Sequence, residues 1–317
     1  LTIFSICEVD EENKMKVLIC DPTASEAIER IRAAGIEVDV QDDISPEELP
    51  SVLPAYDGMV VRSRTKVRQP LIDQAKSLKV IVRGGVGLDN IDVEYARSKG
   101  IAVLNTPAAS SASVAEQTIG YLFCLARQLP QATASMKAGL WEKRRFKGTE
   151  LGGKRLGLIG CGRIGQEVAK RAQALGMDVV YFRRTDCDLD CAEQVSLDEL
   201  LSSSDYISLH VPHTEETHNI LDAKTFATMK DGVYIVNCGR GGTLDEDALY
   251  EAIESGKVAG AALDVYAEEP AKDNRLFSLE HVIGSPHIGA ATVEAQSRVG
   301  AEVAEKMIAF YEGKIAG

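Results

Sequence analysis

The chain has 317 residues, enough for about two domains, and its 45% apolar and 26% charged content is that of a globular protein able to bury large cores without metal or disulfide staples. Thirty-five Lys and Arg against 48 Asp and Glu leave a formal charge of −13. That balance excludes nucleic acid and anionic membrane as default partners but leaves room for a small anion at a locally positive site.

Residues 1–14 carry Glu8, Asp10, Glu11 and Glu12 where a signal peptide needs a basic region, so no signal peptide is expected there, and the segment reads as an extension. From Met15 onward, short apolar runs alternate with helical patterns. Met15–Cys20 reads as a strand and Ser25–Ala34 as a helix, with further strands at Glu37–Val40, Gly58–Val61, Leu78–Val82 and Ile101–Leu104. Several are β-branched and flanked by Gly, Pro or Asp, the pattern of buried parallel strands in a small α/β unit. A buried helix follows from Ser113, where Ser113 and Glu116 suggest a capping box, and Leu129–Pro130 is expected to end it. A second α/β series has strands at Arg155–Ile159, Asp178–Phe182, Tyr206–Val211, Val233–Asn237, Ala259–Val265 and His281–Ser285. Thr292–Tyr311 closes the chain as a helix. Seven scattered cysteines read as reduced thiols in a cytoplasmic protein, and no apolar run reaches the roughly 18 residues of a membrane helix.

Gly160-Cys161-Gly162-Arg163-Ile164-Gly165 matches the dinucleotide fingerprint in its required context. A strand precedes it, and a helix follows with Ile164, Val168, Ala172 and Leu175 on one face. A second strand then closes the βαβ unit. The glycines permit a tight turn that brings backbone N–H groups and a helix N-terminus to a pyrophosphate. The end of the second strand ordinarily carries an acidic residue for the ribose 2′-hydroxyl. Here it carries Arg183 and Arg184, which tilts the cofactor toward NADP(H) while leaving NAD(H) open.

Arg240, Glu269 and His287 each follow a predicted strand, so a doubly wound sheet brings all three to the rim that holds the glycine turn. A guanidinium grips a carboxylate and polarises the adjacent carbonyl. A histidine titrates near neutrality and can donate or accept a proton, and a neighbouring glutamate favours its charged form. Pro270 is expected to hold Glu269 in an extended conformation.

These stretches resemble the D-isomer-specific 2-hydroxyacid dehydrogenases. The resemblance rests on Gly160–Gly165, Val236–Gly242, Ala262–Pro270 and Ser285–Ala290, and it runs from about residue 15 to the C-terminus. Within the family, Val61–Val67, Arg83–Asp92, Cys124–Lys137 and Gly148–Leu151 are similar to the phosphoglycerate dehydrogenases.

The resemblance implies an α/β fold of two domains. A Rossmann-type doubly wound parallel sheet would span 109–287. A smaller, flavodoxin-like α/β substrate domain would combine 1–108 with 288–317, and the cleft would lie at the joint. Hydride would pass between NAD(H) or NADP(H) and a small anionic 2-hydroxy or 2-oxo acid. Arg240 would bind substrate, His287 would be the acid/base and Glu269 its partner, a pairing unlike the Gln of formate dehydrogenases. Arg62, Ser63, Gly84 and Gly85 would also serve the substrate, with backbone amides around Gly84–Val86 on its carboxylate. Gly160, Gly162, Arg163, Ile164 and Gly165 would hold the pyrophosphate. Val86, Arg183, Arg184, Val211, Pro212, Cys238, Gly239, Asp264, Gly289 and Ala290 would complete the cofactor pocket. A homodimer formed through the nucleotide domain is expected, and no regulation through additional C-terminal domains.

Arg183 and the short segment between Phe182 and Leu197 depart from an NAD-preferring phosphoglycerate dehydrogenase. They keep open an NADP-linked glyoxylate or hydroxypyruvate reductase. Transcriptional corepressors that sense dinucleotide share the same groups and form a more remote alternative. The basic run Lys143, Arg144, Arg145 and Lys147 after Trp141 is either a substrate-phosphate site or a solvated surface. The spacings of His210, His213 and His218, and of Cys187 and Cys191, do not match a metal site.

Overall fold

In a computed structural model, residues 14–185 and 189–315 are described. The N-terminal acidic segment and Cys187 lie outside them. The chain divides into two compact units, residues 1–110 with 293–317, and residues 111–292.

The first unit holds a five-stranded sheet of β1 (Lys16–Ile19), β2 (Glu37–Val40), β3 (Gly58–Val61), β4 (Val80–Arg83) and β5 (Ala102–Asn105). Its order is β2-β1-β3-β4-β5, with every neighbour parallel, as in a flavodoxin-like sheet. The runs that read as β-branched and apolar are the buried strands: all four residues of β3 are inaccessible. Alternation sends Leu18 into the core on one face and Val17 and Ile19 into the core on the other, so helices must cover both. The helix Val293–Tyr311 supplies Val299, Val303 and Met307 to the second of these cores.

The second unit holds β6 (Arg155–Ile159), β7 (Asp178–Phe182), β8 (Glu193–Gln194), β9 (Tyr206–Leu209), β10 (Val233–Asn237), β11 (Val258–Leu263) and β12 (Val282–Gly284). All neighbours are parallel in the order β12-β11-β10-β9-β6-β7-β8. The order reverses between β6 and β9, which is where a doubly wound sheet opens a crevice beyond its carboxyl ends. Leu158 and Tyr181 pack on one face, Ile159 and Val180 on the other. The two-residue β8, inside the segment that reads as a short connection, has no sequence signal.

Three local expectations are corrected. The helix begins at Ser111, so Ser113 lies inside its first turn and its hydroxyl donates to Gly289 O at 2.6 Å instead of forming a capping box. Leu129–Pro130 does not merely stop that helix. Gln128 turns the chain with φ 51°, and Pro130 then sits in the first turn of a new helix, Leu129–Lys137, where its missing N–H costs nothing. Leu175 is the exposed C-cap of the helix Arg163–Ala174, whose buried face is Gly165, Val168, Ala169 and Ala172.

Among the described residues, no helix is long and apolar enough to cross a membrane.

Candidate active site

The fingerprint turn joins β6 to the helix Arg163–Ala174, and its three glycines do three different things. Gly160 has φ +95°, and a Cβ there would meet His210 O and Val211 Cγ1 at 2.7 Å. Gly165 lies under Gly160, whose carbonyl oxygen would be 2.5 Å from an added Cβ. Gly162, the N-cap, would meet nothing within 4 Å and makes no side-chain cap bond. A closed turn, a close helix–strand contact and an open approach to a helix N-terminus are what a pyrophosphate needs. The residues fit a dinucleotide.

Around that turn, Val211 packs against Gly160 and Pro212 is exposed. Arg183, just past β7, donates from Nη1 to Cys161 O at 3.3 Å, so its guanidinium lies beside the fingerprint. Arg184 is more exposed and approaches Glu216 at 3.9 Å. Cys238 is buried, which pushes its thiol up to about 12, and Gly239 N–H donates to Asn237 Oδ1 at 3.0 Å.

Arg240, Glu269 and His287 come together on the rim of this sheet. His287 Nδ1 lies 2.8 Å from Glu269 Oε2, while Tyr266 N–H donates to Glu269 Oε1 at 3.2 Å. Partial burial works to raise the Glu269 carboxyl. The bond and charge of His287, the Tyr266 N–H and the charge of Arg240 outweigh it and hold the group below its ordinary value. Glu269 therefore stays ionised at neutral pH and fixes the imidazole through Nδ1. The Glu269–Pro270 peptide is cis. Arg240 donates from Nη1 to Gly239 O at 2.8 Å, and its own carbonyl is held by Asn237 Nδ2 and Thr243 Oγ1 at 3.0 and 2.7 Å. A Cβ on Gly241 would fall 1.7 Å from Tyr266 O, so only glycine lets the Arg240 loop pass under the Glu269 loop. A cavity of about 550 Å³ opens beside the pair, with Tyr266, Pro270, Phe277 and Pro286 among its lining residues.

Asp264 is 1% exposed, and its carboxylate is used by the His287 turn: it accepts from Ser285 Oγ and, at 2.8 Å each, from the N–H groups of Ile288 and Gly289. Tyr121 and Gln117 also bond Ser285 Oγ. With Ser113 on Gly289 O, these bonds keep the turn through Ala290 in the second unit, beyond the expected boundary at 287. His287 itself has φ 53°, a left-handed conformation that the Asp264 clamp sustains.

In the first unit, Arg62 and Ser63 follow β3, and Gly84, Gly85 and Val86 follow β4. Asp21, fully buried at the end of β1, accepts from the Arg62 and Thr65 N–H groups and from Arg64 Nε at 2.9 Å. Arg64 also donates from Nη2 to Cys20 O and Asp42 O, so two of its three guanidinium nitrogens are bonded to the scaffold. Burial lowers the Arg62 guanidinium and the Asp21 charge opposes that. Gly84 N–H donates to Val61 O at 2.8 Å, which removes it from the expected set of carboxylate-binding amides. Arg83, which sequence reasoning passed over, lies across Gly85, where a Cβ would fall 1.4 Å from Nη1, and donates to Ser63 Oγ at 3.3 Å.

Of the basic run after Trp141, Arg145 is paired with Glu142 and Glu280, whereas Lys143, Arg144 and Lys147 are exposed. His213 and His218 meet, with His213 Nε2 3.1 Å from His218 Nδ1. His210 stands separately: burial pushes its ring down to about 4, and Nε2 pairs with Ser208 Oγ at 2.9 Å. Among the described residues, no three His, Cys, Asp or Glu side chains group to hold a metal.

Residues 119–289 match the NAD-binding domain of the D-isomer specific 2-hydroxyacid dehydrogenases. The chain is 49% identical over 307 residues to the D-3-phosphoglycerate dehydrogenase of Methanocaldococcus jannaschii, covering 95% of itself but 58% of that protein's length. It is 50% identical over 299 residues to the hydroxypyruvate reductase of Thermotoga maritima, covering 93% of itself and 97% of that enzyme. Its fold superposes on the TT0316 protein of Thermus thermophilus with a TM-score of 0.88 at 37% identity, over 94% of this chain and 97% of that one. The chain belongs to the D-isomer-specific 2-hydroxyacid dehydrogenases, nicotinamide-dependent oxidoreductases that act on CH–OH groups.

Proposed function

We propose that this chain interconverts a D-2-hydroxy acid and its 2-oxo acid, with 3-phosphoglycerate and 3-phosphohydroxypyruvate as the pair, a step of serine biosynthesis. The observation that carries the reaction is the His287–Glu269 bond of 2.8 Å on a rim where Arg240 also acts on Glu269. Bound dinucleotide supplies or accepts the hydride. Arg240 grips the substrate carboxylate and polarises the 2-oxo carbonyl. His287 Nε2 gives a proton to the carbonyl oxygen during reduction and takes it back during oxidation. Glu269 keeps Nδ1 occupied and favours the imidazolium that reduction needs. Arg62, with Arg83 beside Ser63, supplies positive charge for the substrate phosphate.

Two observations favour a second reading, an NADP-linked hydroxypyruvate or glyoxylate reductase. Arg183 stands by the fingerprint where a 2′-phosphate would be read, and the hydroxypyruvate reductase matched here is covered almost end to end. Initial rates of NADH and NADPH oxidation with 3-phosphohydroxypyruvate, hydroxypyruvate and glyoxylate separate the two. A large preference for the phosphorylated acid supports the first reading. Equal or better use of the plain acids overturns it in favour of the second.

We further propose a cytoplasmic homodimer. The exposed apolar side chains Phe123, Leu129, Met136, Leu140 and Trp141, the last 80% exposed, give the nucleotide-binding unit a surface suited to self-association. Light scattering at micromolar concentration tests it, and a monomeric mass contradicts it.

A further inference from the structure

The segment Ala267–Pro270 is exposed. A carboxylate on such a loop keeps a fixed position only if something outside the loop holds it. Glu246, the first residue of the helix Glu246–Glu254, does so. Its Oε1 accepts from Ala267 N–H and its Oε2 from Asn274 Nδ2, each at 2.6 Å. These are short, charge-assisted bonds at the two ends of the loop that contains Glu269. Asn274 Oδ1 in turn accepts from the N–H of Leu276, which is fully buried, so the far end of the clamp is tied to the core.

The near end is equally fixed. Asp245 caps the helix by accepting from Ala248 N–H at 3.0 Å. The residues before it form the Arg240 loop, which passes directly under Tyr266 at Gly241. One short segment therefore carries Arg240 at its start and, through Glu246, grips the loop of Glu269 at its end.

The geometry assigns Glu246 as a positioning residue that sets Glu269 against His287 and Arg240. This rests on the reading of His287 and Glu269 as the acid–base pair. Glu246 touches neither His287 nor the reacting atoms; it acts through the loop. The charged groups around the pair are Arg240, Lys272 lining the same cavity, Asp264 bonded to the N–H groups of Ile288 and Gly289, and Glu246 itself.

The test is the pH profile of the reduction rate for Glu246→Ala, Glu246→Gln and Glu269→Gln. Loosening Glu269 withdraws support from the imidazolium, so the basic limb moves toward lower pH. For Glu246→Ala we expect a shift of about half a unit and a roughly tenfold fall in kcat, with dinucleotide affinity by fluorescence titration unchanged. Glu246→Gln keeps one acceptor for the Ala267 N–H and recovers part of both. If Glu246→Ala fails to fold, Asn274→Ala removes half the clamp, leaves the helix intact and carries the same test with a smaller shift. A lowered Tm with a profile superimposed on wild type makes Glu246 merely structural and overturns the inference. If Glu269→Gln moves the limb and Glu246→Ala does not, only this inference fails. If Glu269→Gln leaves the limb in place, the acid–base reading itself fails.

Discussion

Arg64 and His287 each sit three residues past the carboxyl end of a parallel strand, β3 and β12, and each is met by a carboxylate. Asp21 is fully buried and divides its oxygens between backbone N–H groups and Arg64, whose Nη2 donates to Cys20 O and Asp42 O. Glu269 is partly exposed and takes only Nδ1 of His287; Nε2 makes no hydrogen bond among the described residues. Strand-end placement is common to both, so it does not by itself mark chemistry. What separates them is how firmly the scaffold holds each side chain: Nε and Nη2 of Arg64 make three bonds to it, whereas His287 is held through Nδ1 alone.

The largest effect that sharpens this contrast is expected at Arg240. Arg240→Ala removes the cation proposed to meet carboxylate and carbonyl together, and kcat/KM for 2-oxo acids should fall by about 10²–10³ with little change in Tm. A fall of less than fivefold would mean that Arg240, like Arg64, belongs to the scaffold.

Next comes cofactor choice. Arg183→Ala should lower the NADPH-to-NADH ratio of kcat/KM about tenfold, the size of one charge-assisted pair. An unchanged ratio assigns Arg183 to the Cys161 carbonyl alone.

Smaller still is the reverse experiment on the first unit. Asp21→Asn removes one acceptor oxygen from the donors Arg62 N–H, Thr65 N–H and Arg64 Nε and should cost about 1–3 kcal/mol of stability, read as a drop in urea midpoint. Arg64→Met should raise the substrate KM less than twofold. A large KM effect there would erase the distinction between the two strand ends.

The pH dependence follows from Glu269. Its carboxyl is held below its ordinary value, first against burial and then by His287, Tyr266 and Arg240. The carboxylate's part in the pair is thus present above the unfolded carboxylate range and is lost as pH falls through the lowered folded value. The reduction rate should stay level on the acidic side down to the usual carboxylate range, and an acidic limb well above it contradicts the pairing.

Much of this site is legible in sequence because its signals are local. The fingerprint is six consecutive residues, and β2, β3, β6, β7 and β10 fall where apolar, β-branched runs place them. Arg240, Glu269 and His287 are picked out by strand ends together with their chemistry and the fingerprint on the same rim. The support is not legible, because it is made at long range. Asp264 reaches the N–H of Ile288, Gln117 reaches Ser285 and Glu246 reaches Asn274, over 24, 168 and 28 residues. Ser113 shows how a local rule fails: it fits a capping pattern, yet a carbonyl 176 residues away takes its hydroxyl. Arg83 was hidden for the same reason, since only the folded backbone lays it across Gly85.

The two proposed roles, proton transfer by His287 and cofactor binding by the glycine turn, are separable. The direct measurement is turnover of 2-oxo acid by His287→Ala beside its dinucleotide affinity by fluorescence titration. The expected result is a loss of about 10²–10⁴ in kcat with dinucleotide affinity within twofold of wild type. Full turnover in that variant would remove His287 from the reaction.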